Sequence, residues 1–302
     1  MPIAHSRKLN ADCFSLFLQA MEIEKRTGVV VESIELQSEA LDRLVKIDFY
    51  LPVNIEQPGE ISLLLINDGQ DLETMGFDHL LDTLLKREEI GPLLCVGIHC
   101  GEDRHDEYGM VSAQDHLGRG SKAPQYSQFI INELLPYIFS HYHTHSFKES
   151  AYAGFSLGAL SAFDLVWNNP DLFSKVGVFS GALWWRSKDK DDKDYDQHTD
   201  RLMQSHVRNG EYQPGLKFFF QCGEKDESED RNRNGVIDSI DDTIDLMREL
   251  LLKGYKEGKD MTYLQIADGR HDVSSWARAL PEFLKWGWGK TRNQQRITKH
   301  IN

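Results

Sequence analysis

No stretch of this sequence is apolar over anything near the roughly 20 residues that a membrane-spanning helix needs, so a helical membrane protein is not the reading. Positive charge is in deficit. Lys and Arg number 34 against 48 Asp and Glu, a formal net charge of −14. Nucleic acid and anionic membranes both call for basic surfaces, so neither is an expected partner. Cysteine is scarce: Cys13, Cys95, Cys100 and Cys222 form no C-x-x-C pair, which argues against a zinc site. Cys95 and Cys222 lie in apolar runs and read as buried thiols rather than disulfide partners. The N-terminus, MPIAHSRKLNADCFSLFLQA, lacks a continuous apolar segment and a small-residue cleavage site, so a cytoplasmic location is expected. Linkers rich in Pro, Gly or Ser and internal repeats are missing too. The expected organisation is an extension over residues 1–27, a single domain over 28–290 and a tail over 291–302.

What the sequence does have is an alternation of two periodicities. Val45, Ile47, Phe49 and Leu51 alternate with polar neighbours, as in a half-buried strand, and VVVESIELQS upstream offers it a hairpin partner. Short apolar runs follow: ISLLLI (61–66), LLCVGI (93–98), SAYAGF (150–155), KVGVFS (175–180), LKFFFQC (216–222) and MTYLQIA (261–267). Such runs suit strands covered on both faces of a mostly parallel sheet. Helical spacing appears between them: Phe77, Leu80, Leu81, Leu84 and Leu85; Ile131, Leu134, Leu135 and Ile138; Ile240, Ile244, Met247 and Leu251; and Trp276, Leu280, Phe283 and Leu284. Strand and helix in alternation predict one α/β domain with helices on both faces of the sheet and an antiparallel N-terminal hairpin.

Chemistry enters at Gly154-Phe155-Ser156-Leu157-Gly158. A G-x-S-x-G that follows an apolar strand and opens a helix is the nucleophile elbow of the α/β-hydrolase fold. A serine hydroxyl needs a base, and in that fold the order along the chain is serine, acid, histidine. His271 follows the MTYLQIA run and precedes the last helix, which makes it the candidate base. His141, His143 and His145 read as a solvated cluster. Asp226, after LKFFFQC, is the candidate acid, with Glu224 as the alternative. The backbone N–H of Leu157 is one candidate oxyanion donor, and that of Gln70 or Asp71, in the Asn67-Asp68-Gly69 loop, is the other. Trp184 and Trp185 are candidates for the substrate pocket wall, although packing would account for them equally.

NDGQDL, the stretch from EYG to GRGSKAPQYSQFIINELLPYI, AGFSLGALSAFD, GVFSGALWWRS and GRHDVSSWARALPEFL together resemble the putative-esterase family of α/β hydrolases. That family includes esterase D-like and ferric enterobactin (enterochelin) esterase-like enzymes. The resemblance runs from about residue 28 to 288. It implies hydrolysis of carboxylic esters, with Ser156 and His271 in matching motifs and no cofactor for catalysis. Arg270 replaces the glycine usual before the histidine, which puts it in the candidate pocket, where it would either narrow the site or favour anionic substrates. Ala182 stands where serine or glycine is common.

One motif is foreign to that pattern. Asp230, Asn232, Asn234, Gly235, Val236, Asp238 and Asp241 occupy positions 1, 3, 5, 6, 7, 9 and 12 of an EF-hand or dockerin-like calcium loop. A structural Ca²⁺ that fixes the segment after Asp226 is the expected role. The acidic run KDKDDKDYDQ (188–197) reads as a solvated loop. The favoured function is a serine esterase acting on a small-molecule ester. An acyltransferase on the same machinery, or an inactive calcium-binding homologue, remain alternatives.

Overall fold

The computed structural model describes residues 28–53 and 60–290. The expected extension over 1–27, the tail over 291–302 and Cys13 lie outside the described residues. Apolar runs bounded by Gly, Pro and polar clusters become β1 (Val29–Ser38), β2 (Arg43–Pro52), β3 (Ser62–Asn67), β4 (Leu93–Ile98), β5 (Ser150–Phe155), β6 (Lys175–Phe179), β7 (Lys217–Lys225) and β8 (Met261–Arg270). They form one eight-stranded sheet in the order β1-β2-β4-β3-β5-β6-β7-β8. β1 and β2 are an antiparallel hairpin, and β2 is antiparallel to β4. From β4 to β8 every pairing is parallel. This is an α/β-hydrolase architecture, as the sequence predicts.

The helices are α1 (Phe77–Lys86), α2 (Arg104–Glu107), α3 (Ala123–Gln128), α4 (Leu135–His141), α5 (Leu157–Asn168), α6 (Gln197–Asp200), α7 (Leu202–Asn209), α8 (Asp238–Lys253) and α9 (Val273–Trp288). Successive strand residues point to opposite faces, so the sheet separates two cores. Leu63 and Leu65 pack with Leu160, Phe163 and Val166 of α5. Leu64 and Ile66 pack with Phe77 and Leu81 of α1 and with Leu280 and Phe283 of α9. Among the described residues no helix is long and apolar enough to cross a membrane. Cys95 and Cys222 are buried free thiols.

Two predicted helical faces shift. Between α3 and α4 the chain makes a π-turn over Phe129–Leu134. The wider turn adds a residue, and Pro136 just beyond it has no N–H to donate. The phase therefore changes: Phe129 and Ile130 are fully buried, and Ile131 is only half-buried. In α8 the buried stripe is Thr243, Leu246, Met247 and Leu250, while the expected Leu251 is exposed. α8 ends at Gly254, which adopts φ 114° as its C-cap.

Parallel strands bring the loops after β3, β5, β6, β7 and β8 to one rim of the sheet, where open α/β sheets bind ligands.

Candidate active site

Ser156 sits between β5 and α5 with φ 55° and ψ −120°, a strained conformation for a residue with a side chain. The neighbouring chain holds it there. Its N–H donates to the Phe179 carbonyl (2.9 Å), and its own carbonyl accepts from Ala182 (3.0 Å). The bend leaves no room on either side. A Cβ on Gly154 would meet the Gly158 carbonyl oxygen at 2.4 Å, and a Cβ on Gly158 would meet Asp68 at 2.6 Å. The two glycines of the motif are thus steric requirements.

His271 follows β8 and reaches back across the rim. Its Nε2 lies 2.8 Å from Ser156 Oγ, a contact between residues 115 apart in sequence. The ring stands edge-on to Trp276, with centroids 5.3 Å apart. Loss of water around the imidazole pushes its pKa below the usual value, the charge of Asp226 opposes that shift, and Arg104 adds to it.

Asp226 follows β7. Its Oδ2 accepts the Gly223 N–H (2.9 Å), while Oδ1 is buried without a partner. Burial raises the pKa of this carboxyl, against the Gly223 bond and a hydrogen bond from Ser180. Ser180 in turn takes the indole N–H of Trp276 (3.0 Å). Glu224 turns elsewhere, toward Gln265 Nε2 (3.2 Å) and the N–H of Asp268 (3.3 Å). Asp272 caps α9 by accepting from Ser275 (2.8 Å).

The Leu157 N–H opens α5, where no intrahelical acceptor exists. In the loop after β3, the Asp71 N–H is taken by the Asp68 carbonyl (3.1 Å), which leaves Gln70 as the candidate donor of the pair. The Gln70 side chain bridges Asp68 Oδ1 (3.4 Å) and the Cys100 N–H (3.2 Å). Beneath this loop the buried Asn67 gives its amide to Gly158 (2.8 Å) and accepts from Tyr126 (2.6 Å) and Tyr152 (2.7 Å).

An ion pair between the buried Asp68 and the half-buried Arg104 was not predicted from the sequence. Arg104 Nε and Nη2 meet the two Asp68 oxygens at 2.7 and 2.8 Å. The guanidinium lies over the Tyr108 ring at 5.1 Å. Removing one partner strands a buried charge. We expect Arg104→Met to lower stability by about 3–5 kcal/mol, read from the urea midpoint. An unchanged midpoint would mean that Asp68 finds water or another donor.

The tryptophans part company. Trp185, for which pocket wall and packing are equal readings of the sequence, is fully buried, and its Nε1 donates to the Ala113 carbonyl (3.1 Å). Both lie in the loop after β6, and Trp185 packs into the core. Trp184 is half-buried, lines a pocket and carries the Arg119 guanidinium on its face at 4.7 Å. The Arg270 side chain is exposed beside His271.

The segment 230–241 joins β7 to α8. Asp230 accepts from Asn234 (3.1 Å) and Gly235 (2.9 Å), Asn234 from Val236 (2.7 Å), and Asp241 from the amides of Asn232 (2.7 Å) and Asn234 (3.0 Å). Hydrogen bonds thus tie these four side chains into one loop. Asp238 instead accepts from the Arg231 N–H (2.8 Å). Among the described residues no three His, Cys, Asp or Glu gather as a metal cluster.

Comparison with known proteins places the chain in a family. Residues 38–286 match the family described as "Putative esterase". An uncharacterised Bacillus subtilis protein, YbbA, is 24% identical over 251 residues, 81% of this chain and 92% of its own. The fold is similar to that of a ferulic acid esterase (TM-score 0.62, 19% identity, 86% of this chain and 98% of that one). It is also similar to the enterobactin esterase of Shigella flexneri (TM-score 0.64, 19% identity), covering 85% of this chain and 58% of that protein. The match over most of the chain makes this protein a member of the putative esterase family, the carboxylic-ester hydrolases of α/β-hydrolase fold.

Proposed function

We propose that the protein is a serine esterase that works through an acyl-enzyme on Ser156. The observation that carries the reading is the 2.8 Å contact between His271 Nε2 and Ser156 Oγ. His271 takes the hydroxyl proton as Oγ bonds to the ester carbonyl carbon. The carbonyl oxygen becomes an oxyanion between the N–H groups of Leu157 and Gln70. The intermediate collapses, the C–O bond to the alcohol breaks, and His271 returns the proton to the departing oxygen. Water then attacks the acyl-enzyme by the same route and frees the acid. Asp226 keeps the imidazole in the tautomer with its lone pair toward Ser156, and the unpartnered Oδ1 is the acceptor available for Nδ1–H. A fluorophosphonate probe tests the reading: it should label the wild type and not Ser156→Ala, and equal labelling of both would refute it.

The loop 230–241 extends the proposal. Oxygens of Asp230, Asn232, Asn234 and Asp241, with the Val236 carbonyl, are hard donors suited to Ca²⁺, although Asp238 is drawn away by Arg231. An ion there would fix the segment that starts at Asp226 and would take no part in ester chemistry. Millimolar calcium is expected to raise the melting temperature by several degrees and a chelator to reverse the gain. A melting curve indifferent to both removes the metal.

A further inference from the structure

We propose that a pocket on the same rim of the sheet as the serine binds an anionic oxygen group, a carboxylate or a phosphate, carried by the ester substrate; this rests on the serine-esterase reading. The pocket encloses about 320 Å³ between the loop after β6 and the segment after β7. Both walls are tied to the reaction centre. Trp184 lies two residues beyond Ala182, which holds the Ser156 carbonyl, and Glu227 directly follows Asp226.

The charges on the lining are mixed, but the acids are already engaged. Glu227 accepts from the Ser239 N–H (2.5 Å), Glu229 pairs with Lys190 (2.8 Å), and Asp242 takes Arg201 (2.9 Å) and Arg231 (2.7 Å). Asp238 holds the Arg231 N–H. Arg119 is occupied by Asp115 and by the Trp184 face. What remains includes unanswered guanidinium donors. The lining's buried side-chain nitrogens that no acid answers are His116 Nδ1, Arg186 Nε and Arg231 Nε. None of the lining's oxygens is buried without a partner. Arg186 makes no ion pair among the described residues, although Lys190 and Arg231 beside it do. A guanidinium that lines a cavity, pairs with no carboxylate and keeps a buried N–H unanswered calls for an acceptor that carries negative charge, and its planar edge matches a carboxylate or phosphate. The exposed Leu117 on the same lining offers apolar contact to the carbon chain between that group and the ester.

The experiment compares 4-nitrophenyl monoesters of four- to eight-carbon dicarboxylic acids with neutral acyl esters of equal length. Wild type, Arg186→Met and Arg186→Lys are assayed, and calorimetry of adipate and of inorganic phosphate on the wild type and Arg186→Met separates carboxylate from phosphate. The wild type is expected to show a KM at least tenfold lower for one anionic length. Arg186→Met should erase that preference through KM rather than kcat, and Arg186→Lys should restore part of it. Equal KM values for anionic and neutral esters, or a preference that survives Arg186→Met, overturns the proposal. Hydrolysis of no ester, with adipate or phosphate binding that still depends on Arg186, overturns the esterase reading and leaves the anion site standing.

Discussion

Ser156→Ala is expected to lower kcat for a simple 4-nitrophenyl ester by about a million-fold, and His271→Ala by a similar factor. The two losses should not multiply. Either residue is idle without the other, because the hydroxyl attacks only as its proton leaves for Nε2, 2.8 Å away. The double variant should therefore retain the activity of either single one, a residue of catalysis left to Leu157 and Gln70 as oxyanion donors. Initial rates at saturating ester measure this. A single variant that keeps a tenth of the wild-type rate, or a double variant far below both singles, would mean that the two side chains act separately.

Asp226→Asn is expected to lower kcat about 10⁴-fold and to move the acidic limb of the pH profile to lower pH. The sign follows from the charges. Activity requires a neutral imidazole, so the rate rises with pH through the His271 pKa. Desolvation depresses that pKa, and the Asp226 carboxylate opposes the depression. Removing the carboxylate removes the opposition, so the midpoint falls further below the usual histidine value even as the plateau drops. The plateau drops because asparagine can donate to Nδ1 and so favour the wrong tautomer. Glu224→Gln is expected to leave both features in place, since Glu224 faces Gln265 and Asp268. A larger loss at Glu224 than at Asp226 would reassign the acid.

Much of this was legible from the sequence because the signals are local. The runs at 93–98 and 150–155 carry their own boundaries and became β4 and β5 over those residues. The elbow is a five-residue steric problem with glycine as its solution, so it shows in one dimension. Other features depend on distance. Asp68 and Arg104 lie 36 residues apart, and each alone reads as an ordinary surface charge. The chain from Trp276 through Ser180 to Asp226 links three elements and has no periodicity. Trp184 and Trp185 look alike in sequence, and only the backbone direction after β6 separates a pocket wall from a core anchor. The Ile131 phase error has one cause, a π-turn whose extra residue a 3.6-residue period does not register.

The strand order carries a consequence for synthesis. Ser156 is made on β5, near the middle of the sheet, whereas its base arrives with the edge strand β8. A ribosome adding 5–20 residues per second needs about 6–23 s to cover the 115 positions between them. Through that interval the nascent serine is an ordinary alcohol, harmless to any ester nearby, and reactivity is conferred only when the final strand docks.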